Sequence, residues 1–364
     1  MNGRRTLVGA VVGVLCALTL AVPAAQAGRM NEPIHGDMNG DGLTDRMTLG
    51  GSDDSCGVFV RLGRAAGGYG PVIRHSYLPP NEVVPISYCP DMGVYLDLGG
   101  DGTPELVLGY FHGASWSPDL VILRDYRPVG GLSAISRPSV IYTTDLNADG
   151  LTDVWEMTDD SDGFQSWLNT RDGRLVPGPL RIGDMSINPD RLPSLVDLDG
   201  NRRLDLVVAY TQGTPENGVI VVFDDGTRRQ LQGGDETAWS AVVGDVSGDG
   251  RPDIRTVSGT GVRETFLNLG NRSFVLPPVA NDDLAYAYRV TPKVIKVRDN
   301  DHASTNATLS IPTPPRYGRL TRTDPRYEVV YERTASHALP DSFVYRLSQH
   351  GRSDTATVTV RMKD

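Results

Sequence analysis

The chain has 364 residues, 22% of them charged, and its 45 acidic against 35 basic side chains give a formal net charge of −10. That balance argues against nucleic acid as a partner, because nucleic-acid sites favour basic patches. Beyond the first 27 residues no segment is long and apolar enough to span a bilayer as a helix.

In chain order, the first expected element is a secretory leader over residues 1–27. Arg4 and Arg5 precede an apolar stretch from Leu7 to Val22, and Ala25-Gln26-Ala27 supplies a small-x-small cleavage site, so the exported chain is expected to begin at Gly28. Gly3-Arg4-Arg5-Thr6-Leu7-Val8 also fits a twin-arginine pattern, which would mean export after folding. Past the leader two cysteines remain, Cys56 and Cys89. In an oxidising compartment an even pair reads most simply as one disulfide, with a free or metal-bound pair as the alternative.

An acidic nonapeptide then returns five times: Asp37 to Asp45, Asp97 to Glu105, Asp145 to Asp153, Asp197 to Asp205 and Asp245 to Asp253. Oxygen-bearing side chains stand at places one, three, five and nine, and Gly usually stands at six. This is the pattern expected of a calcium loop, because calcium takes six to eight hard oxygens at about 2.3–2.6 Å. Gly at six permits a bend that a Cβ hinders. The first copy offers Asp37, Asn39, Asp41, the carbonyl of Leu43 and Asp45; the third offers Asp145, Asn147, Asp149, the carbonyl of Leu151 and Asp153. The second has Asp97, Asp101, the Thr103 carbonyl and Glu105, but Gly99 leaves place three without a ligand. The fourth has Asp197, Asp199, Asn201, the Arg203 carbonyl and Asp205, with Arg202 in place of the bend-permitting Gly. The fifth has Asp245, Ser247, Asp249, the Arg251 carbonyl and Asp253, so only a hydroxyl stands at place three.

Any one of these Asp-Gly pairs reads equally well as a plain hairpin turn; five in one frame favour the ion. An EF-hand needs flanking helices and a Glu at place twelve. Here place twelve is Thr48, Leu108, Glu156, Val208 and Thr256. The runs after the loops, such as Leu-Val-Leu-Gly-Tyr, are short and β-branched and predict strands. Charge agrees with this reading. Loss of the leader takes the net charge to −12, and five divalent ions would bring it to −2. Without metal, fifteen loop carboxylates stand in five repelling clusters.

The nonapeptides start 60, 48, 52 and 48 residues apart, the length of a four-stranded propeller blade or a little more. In the fourth unit Ser194-Leu-Val-Asp reads as strand one, Leu204 to Tyr210 as strand two and Val219 to Phe223 as strand three, with Asp225-Gly226 turning into strand four. Comparable third strands are Val58 to Leu62, Leu120 to Arg124, Phe164 to Asn169 and Arg263 to Leu269. On these loops and their spacing, residues 28–277 resemble the FG-GAP and VCBS repeat families. The resemblance implies a calcium-binding β-propeller of about five blades, closed or open, with the loop residues above as its ligands. The meander would put the calcium loops on one face and Cys56 and Cys89 together on the other.

After Pro277-Pro278 the nonapeptide stops and short alternating strands tighten, which predicts a β-sandwich over residues 278–364. With Val279-Ala-Asn-Asp-Asp, Val294-Ile-Lys-Val-Arg-Asp-Asn-Asp, Tyr317-Gly-Arg-Leu, Asp341-Ser-Phe-Val-Tyr and Ala356-Thr-Val-Thr-Val, this stretch resembles bacterial Ig-like or cadherin-like repeats. Asp282, Asp283, Asp299 and Asp301 read as solvated turn residues or as a calcium site between domains. The expected fold class is therefore all-β.

No catalytic motif stands out: Gly-x-Ser-x-Gly, His-Glu-x-x-His and the phosphate loop are all missing. The expected role is a secreted, calcium-stabilised binding protein for an extracellular carbohydrate or protein. Tyr110, Phe111, His112, Trp116, Phe164 and Trp167 are its candidate ligand contacts, since aromatic faces beside carboxylates suit sugar rings. Packing is the competing role for at least half of these rings. The alternative is a lyase or hydrolase acting on extracellular polysaccharide, for which Asp159, Asp160 and Asp162 are the one dense carboxylate group.

Overall fold

The computed structural model describes residues 27–363, apart from 53, 81–88, 112–119, 135–136, 159–162, 188–192, 212–216, 236–237, 262, 289–290, 304–305, 325–327 and 335–339. The expected leader therefore lies outside the described residues except for Ala27, and so do His112, Trp116 and Asp159 to Asp162. Among the described residues the chain is all-β, with one 3-10 turn at Leu98–Gly100. None of their helices is long and apolar enough to cross a membrane.

Five antiparallel meanders follow one another. Sheet one holds Ile34–Gly36, Asp45–Ser52, Ser55–Arg61 and Ile73–Tyr77; sheet two holds Met92–Asp97, Pro104–Gly109, Leu120–Arg124 and Arg127–Leu132. Sheet three holds Pro138–Thr144, Asp153–Thr158, Phe164–Thr170 and Arg174–Ile182. In sheet four, Ser186–Ile187 and Ser194–Val196 both pair with Asp205–Thr211, which continues to Asn217–Val222 and Arg228–Asp235. Sheet five holds Trp239–Gly244, Asp253–Ser258, Arg263–Asn268 and Phe274–Val275. The expected third strands fall within a few residues of these bounds. In each sheet the nonapeptide joins the strand before it, only three residues long in sheets one and four, to a second strand, so the run after the loop becomes that second strand.

Successive side chains of a strand point to opposite faces, and this period explains how the sheets stack. Leu106 and Leu108 face a cluster shared with Met47, Val58 and Val60 of sheet one. Val107, between them, faces a cluster shared with Ile141, Val154 and Trp167 of sheet three. Leu206 and Val208 likewise join Trp155, Met157 and Phe164 of sheet three, whereas Val207 joins Trp239 and Ile254 of sheet five. Sheets two, three and four are thus buried on both faces, which is why the second strands of sheets two and four read as near-continuous apolar runs, while that of sheet three buries Glu156 among Val154, Trp155 and Met157.

The two end sheets alternate instead. In sheet one Arg46, Thr48, Arg61 and Arg74 share the outward face; in sheet five Val242, Arg255, Thr265 and Arg263 do. Among the described residues, the apolar clusters join sheets one to two, two to three, three to four and four to five.

One element was not foreseen. Ala27–Arg29 adds a fifth strand to sheet three, pairing with Pro138–Thr144 in the register Ala27 to Tyr142 and Gly28 to Ile141. Gly28 has to be glycine here, because a Cβ would lie 2.2 Å from the Gly93 carbonyl oxygen.

Cys56 and Cys89 form a disulfide with Cα atoms 5.4 Å apart. Cys56 lies within the strand Ser55–Arg61 rather than in a connecting loop.

From residue 283 onward two further sheets enclose a separate core. Asp283–Ala287 runs parallel to Arg352–Met362, which pairs in turn with Asp341–Gln349 and through it with Thr308–Thr313. The other sheet is Lys293–Ile295, Glu328–Arg333 and Gly318–Asp324. Ile295, Val329, Tyr331, Phe343, Tyr345 and Val358 fill the space between them.

Candidate cation-binding loops

The five nonapeptides share one hydrogen-bond plan, and their backbone N–H groups define it. The carboxylate at place one accepts from the N–H groups of places five and six: Asp37 from Asp41 and Gly42 at 3.1 and 2.7 Å, and Asp145 from Asp149 and Gly150 at 3.3 and 3.0 Å. Asp97, Asp197 and Asp245 do the same in their loops. Place five accepts from the N–H of place seven in all five, at 2.7 to 2.9 Å. These are Asx-type turns, in which a short polar side chain fixes the backbone ahead of it.

Places four and six adopt the left-handed conformation throughout: Gly40 and Gly42, Gly100 and Gly102, Ala148 and Gly150, Gly200 and Arg202, Gly248 and Gly250. Arg202 keeps the bend at φ 72° despite its Cβ. The departure at this place in the fourth copy therefore costs strain of about 1 kcal/mol rather than the fold of the loop.

Place nine is different in kind. Asp45, Glu105, Asp153, Asp205 and Asp253 are all 0% exposed. One oxygen of each accepts the place-two N–H, from Met38, Leu98, Leu146, Leu198 and Val246, at 2.7 to 2.9 Å. The other oxygen accepts from the third strand or the turn after it: Gly63 N–H for Asp45, Asn169 for Asp153, Asp224 for Asp205 and Asn268 for Asp253. In the second loop that donor is the Arg124 guanidinium, 2.5 Å from Glu105. Burial pushes Asp153 up to about 7 and Asp205 up to about 6, despite the backbone donors that pull the other way. The Arg124 and backbone bonds likewise fail to offset burial at Glu105, which is raised as well.

Hard oxygens at alternate places, crowded carboxylates and a buried acid short of counter-charge are the donor set that suits calcium. The residues present fit the ion best in the first and third loops. In the fourth, Asp197, Asp199 and Asp205 come within 4.8 Å of one another, the one such all-acidic group among the described residues.

Two features of these loops were not legible beforehand. Asn169 donates to the carbonyls of Asp97 and Thr152 and accepts from Gly99 N–H, tying sheet three to the loop of sheet two. Asn268 repeats this between sheets five and four through the carbonyl of Leu198. The recurring Leu-Asn at the end of the third strand, Leu168-Asn169 and Leu267-Asn268, is the signal that marks it. The second feature is arginine. Arg124 reaches Glu105, Arg251 reaches Asp249 at 2.7 Å and Arg272 reaches Asp199 at 2.8 Å. In the third loop Arg171 donates to the backbone carbonyl of Asp149 instead.

The aromatic candidates resolve mainly into core. Phe164 is 0% and Trp167 2% exposed, each in an apolar cluster, with Phe164 stacked on Trp155. Both belong to sheet three, which is buried on both faces, so neither presents a ring to a ligand. Tyr110 is buried between sheets one and two, and Phe111 packs half-buried at the sheet two and three cluster.

In the C-terminal unit, Asp282 accepts from Thr357 N–H, and Asp301 accepts from Asn281 N–H and the Tyr345 hydroxyl. Burial and the neighbouring Asp301 push Asp283 up to about 7.

No family model matches the chain, and no curated protein matches it. Among solved structures it is similar to an endo-fucoidan hydrolase of glycoside hydrolase family 107, at 14% identity over 87% of this chain with a TM-score of 0.19. It is also similar to a variant of that enzyme, at 13% identity over 71% of this chain with a TM-score of 0.20. The chain spans 38% of the length of each. Overlaps this loose carry no argument about fold or activity.

Proposed function

We propose that this chain is a secreted, calcium-stabilised recognition protein of the FG-GAP and VCBS type, cleaved after Ala27. Its five sheets form the blades of an open propeller. The C-terminal sandwich is an Ig-like spacer or second contact surface. The observation that carries the reading is the fivefold repetition of one loop plan with a fully buried carboxylate at place nine. A plain hairpin turn needs no such acid, and burying one without counter-charge is costly. Openness is supported by the arginine-bearing outward faces of sheets one and five, which behave as polar caps on a stack.

In this reading Asp37, Asn39, Asp41 and Asp45, and Asp145, Asn147, Asp149 and Asp153, hold the best-provided ions, with the Leu43 and Leu151 carbonyls completing them. The ions brace the turns, so their role is structural. The partner is an extracellular glycan or protein, met on the face opposite the loops, where connections vary most in length.

Two experiments test this. Calcium titration of residues 28–364 by calorimetry, with thermal melts in calcium and in chelator, should show saturable binding and a markedly lower melting temperature on chelation; a melt indifferent to chelation overturns the calcium role. A glycan-array screen under both conditions should give calcium-dependent hits, and silence moves the assignment to a protein partner.

A further inference from the structure

The turn between the last two strands of sheet five reaches back onto sheet four. Its Arg272 guanidinium meets three carboxylates at once: Nε lies 2.8 Å from Asp199, Nη2 2.9 Å from Asp224 and Nη1 2.6 Å from Asp225. Nη1 also donates to the Thr227 hydroxyl at 3.0 Å. The group stacks over Phe223 with 4.5 Å to the ring centre. Asp199 is place three of the fourth loop; Asp224 and Asp225 form the hairpin beside it, and Asp224 also binds Asn201 of that loop at 3.0 Å. Asp224 N–H in turn donates to the buried Asp205 at place nine. Arg203, at place seven, adds a second positive charge 3.4 Å from Asp224.

We infer that Arg272 takes the place of the metal ion at the fourth loop, so that sheets four and five are joined by a guanidinium and this loop binds no calcium in the intact protein. This rests on the reading of the other loops as calcium sites. A guanidinium suits the position because it is planar, permanently charged and able to bond several carboxylates in its own plane while an aromatic ring covers its face. It donates four hydrogen bonds to groups already in place, and a cation entering the loop has to compete for Asp199. The third loop sets the contrast: its Asn147 side chain stays within the loop, bonding Asp149 at 2.9 Å. The fourth loop thus keeps its shape where calcium is scarce, whereas the third depends on the ion.

The test compares calcium stoichiometry in the wild type, Asp145→Asn, Asp197→Asn and Arg272→Met of the full secreted chain, by calorimetric titration with calcium chloride, together with melts in chelator. The expected result is the loss of one calcium in Asp145→Asn, no loss in Asp197→Asn and the gain of one in Arg272→Met. Arg272→Met should also melt lower than wild type in chelator and recover in calcium. Loss of one calcium in Asp197→Asn overturns the inference, and because that variant leaves Arg272 untouched, its stoichiometry is decisive even if Arg272→Met fails to fold. A wild type that binds no calcium at all overturns the proposed function instead. In that case an undiminished melting temperature of Arg272→Met in chelator overturns the clamp as well.

Discussion

The third and fourth loops follow the same backbone plan and differ in how an arginine meets them, at the Asp149 carbonyl in the third and at the Asp199 carboxylate in the fourth. Both place a 0% exposed aspartate at the ninth position, bonded to the second residue of the loop and to the end or turn of the third strand. In the fourth, an arginine from the neighbouring sheet already stands against the loop's Asp199 and against Asp224 and Asp225 of the hairpin beside it. The lesson is that shape and charge are separable here. The turn is written by side chains bonding N–H groups within nine residues, while the counter-charge is supplied by whatever packs alongside.

The largest effect should come where the loops are alike. Asp153→Ala orphans two buried N–H donors and Asp205→Ala one buried and one part-buried, for a loss of about 3 to 5 kcal/mol apiece in denaturant titrations. Unequal losses, differing by more than about 1 kcal/mol, would break the equivalence of the two plans.

Next in size is the ion itself. Asp145→Asn should remove one ion's share of the calcium-dependent stabilisation, about 2.7 kcal/mol at a hundredfold excess over the dissociation constant, and Asp197→Asn should leave that stabilisation intact. That stabilisation should also depend on pH. Asp153 is held near 7 in the folded chain against an ordinary value of 3.8, so without metal its folded form keeps the proton longer than its unfolded form does. The resulting stability is complete below about 4 and is lost as pH rises to about 7. Calcium competes with that proton. The gap between melts with calcium and with chelator should therefore widen from about pH 5 to about pH 8; a constant gap would show that Asp153 is not a ligand.

A smaller loss, about 2 kcal/mol, is expected for Asn169→Ala. Its buried side chain makes three hydrogen bonds, two of which join sheet three to the loop of sheet two. Asn268→Ala should cost less, because Arg272 holds the same pair of sheets together. Equal losses in chemical denaturation would deny the arginine that role.

The smallest effect sharpens the comparison from the other side. Arg202→Gly relieves a left-handed arginine at φ 72° and should stabilise by about 0.5 to 1 kcal/mol. Gly150→Ala, at the same place in the third loop, should destabilise by about 1 kcal/mol in the same assay.

Much of this was legible residue by residue. Asp37 through Asp253 could be placed in five loops from spacing alone, and Leu206-Val207-Val208 could be recognised as a strand. The aromatic rings were not so readable. Phe164 and Trp167 lie three residues apart on one strand and face opposite sheets, so alternation gave each a face but not its neighbour. Had sheet three been an end sheet, one of those faces would be open to solvent and the expected ligand contact available. The strand Ala27–Arg29 escaped notice because three residues carry no period.

By itself, then, the sequence determined the all-β class, five loop-bearing units and the shape of each loop. These depend on φ preferences, on donors a few residues away and on a period of two, all local to the chain. The tertiary structure alone decided which sheets are capped, which rings are core and which loops receive an arginine. Arg272 and Asp199 are 73 residues apart, and only the stacking of sheet five on sheet four brings that guanidinium to that carboxylate.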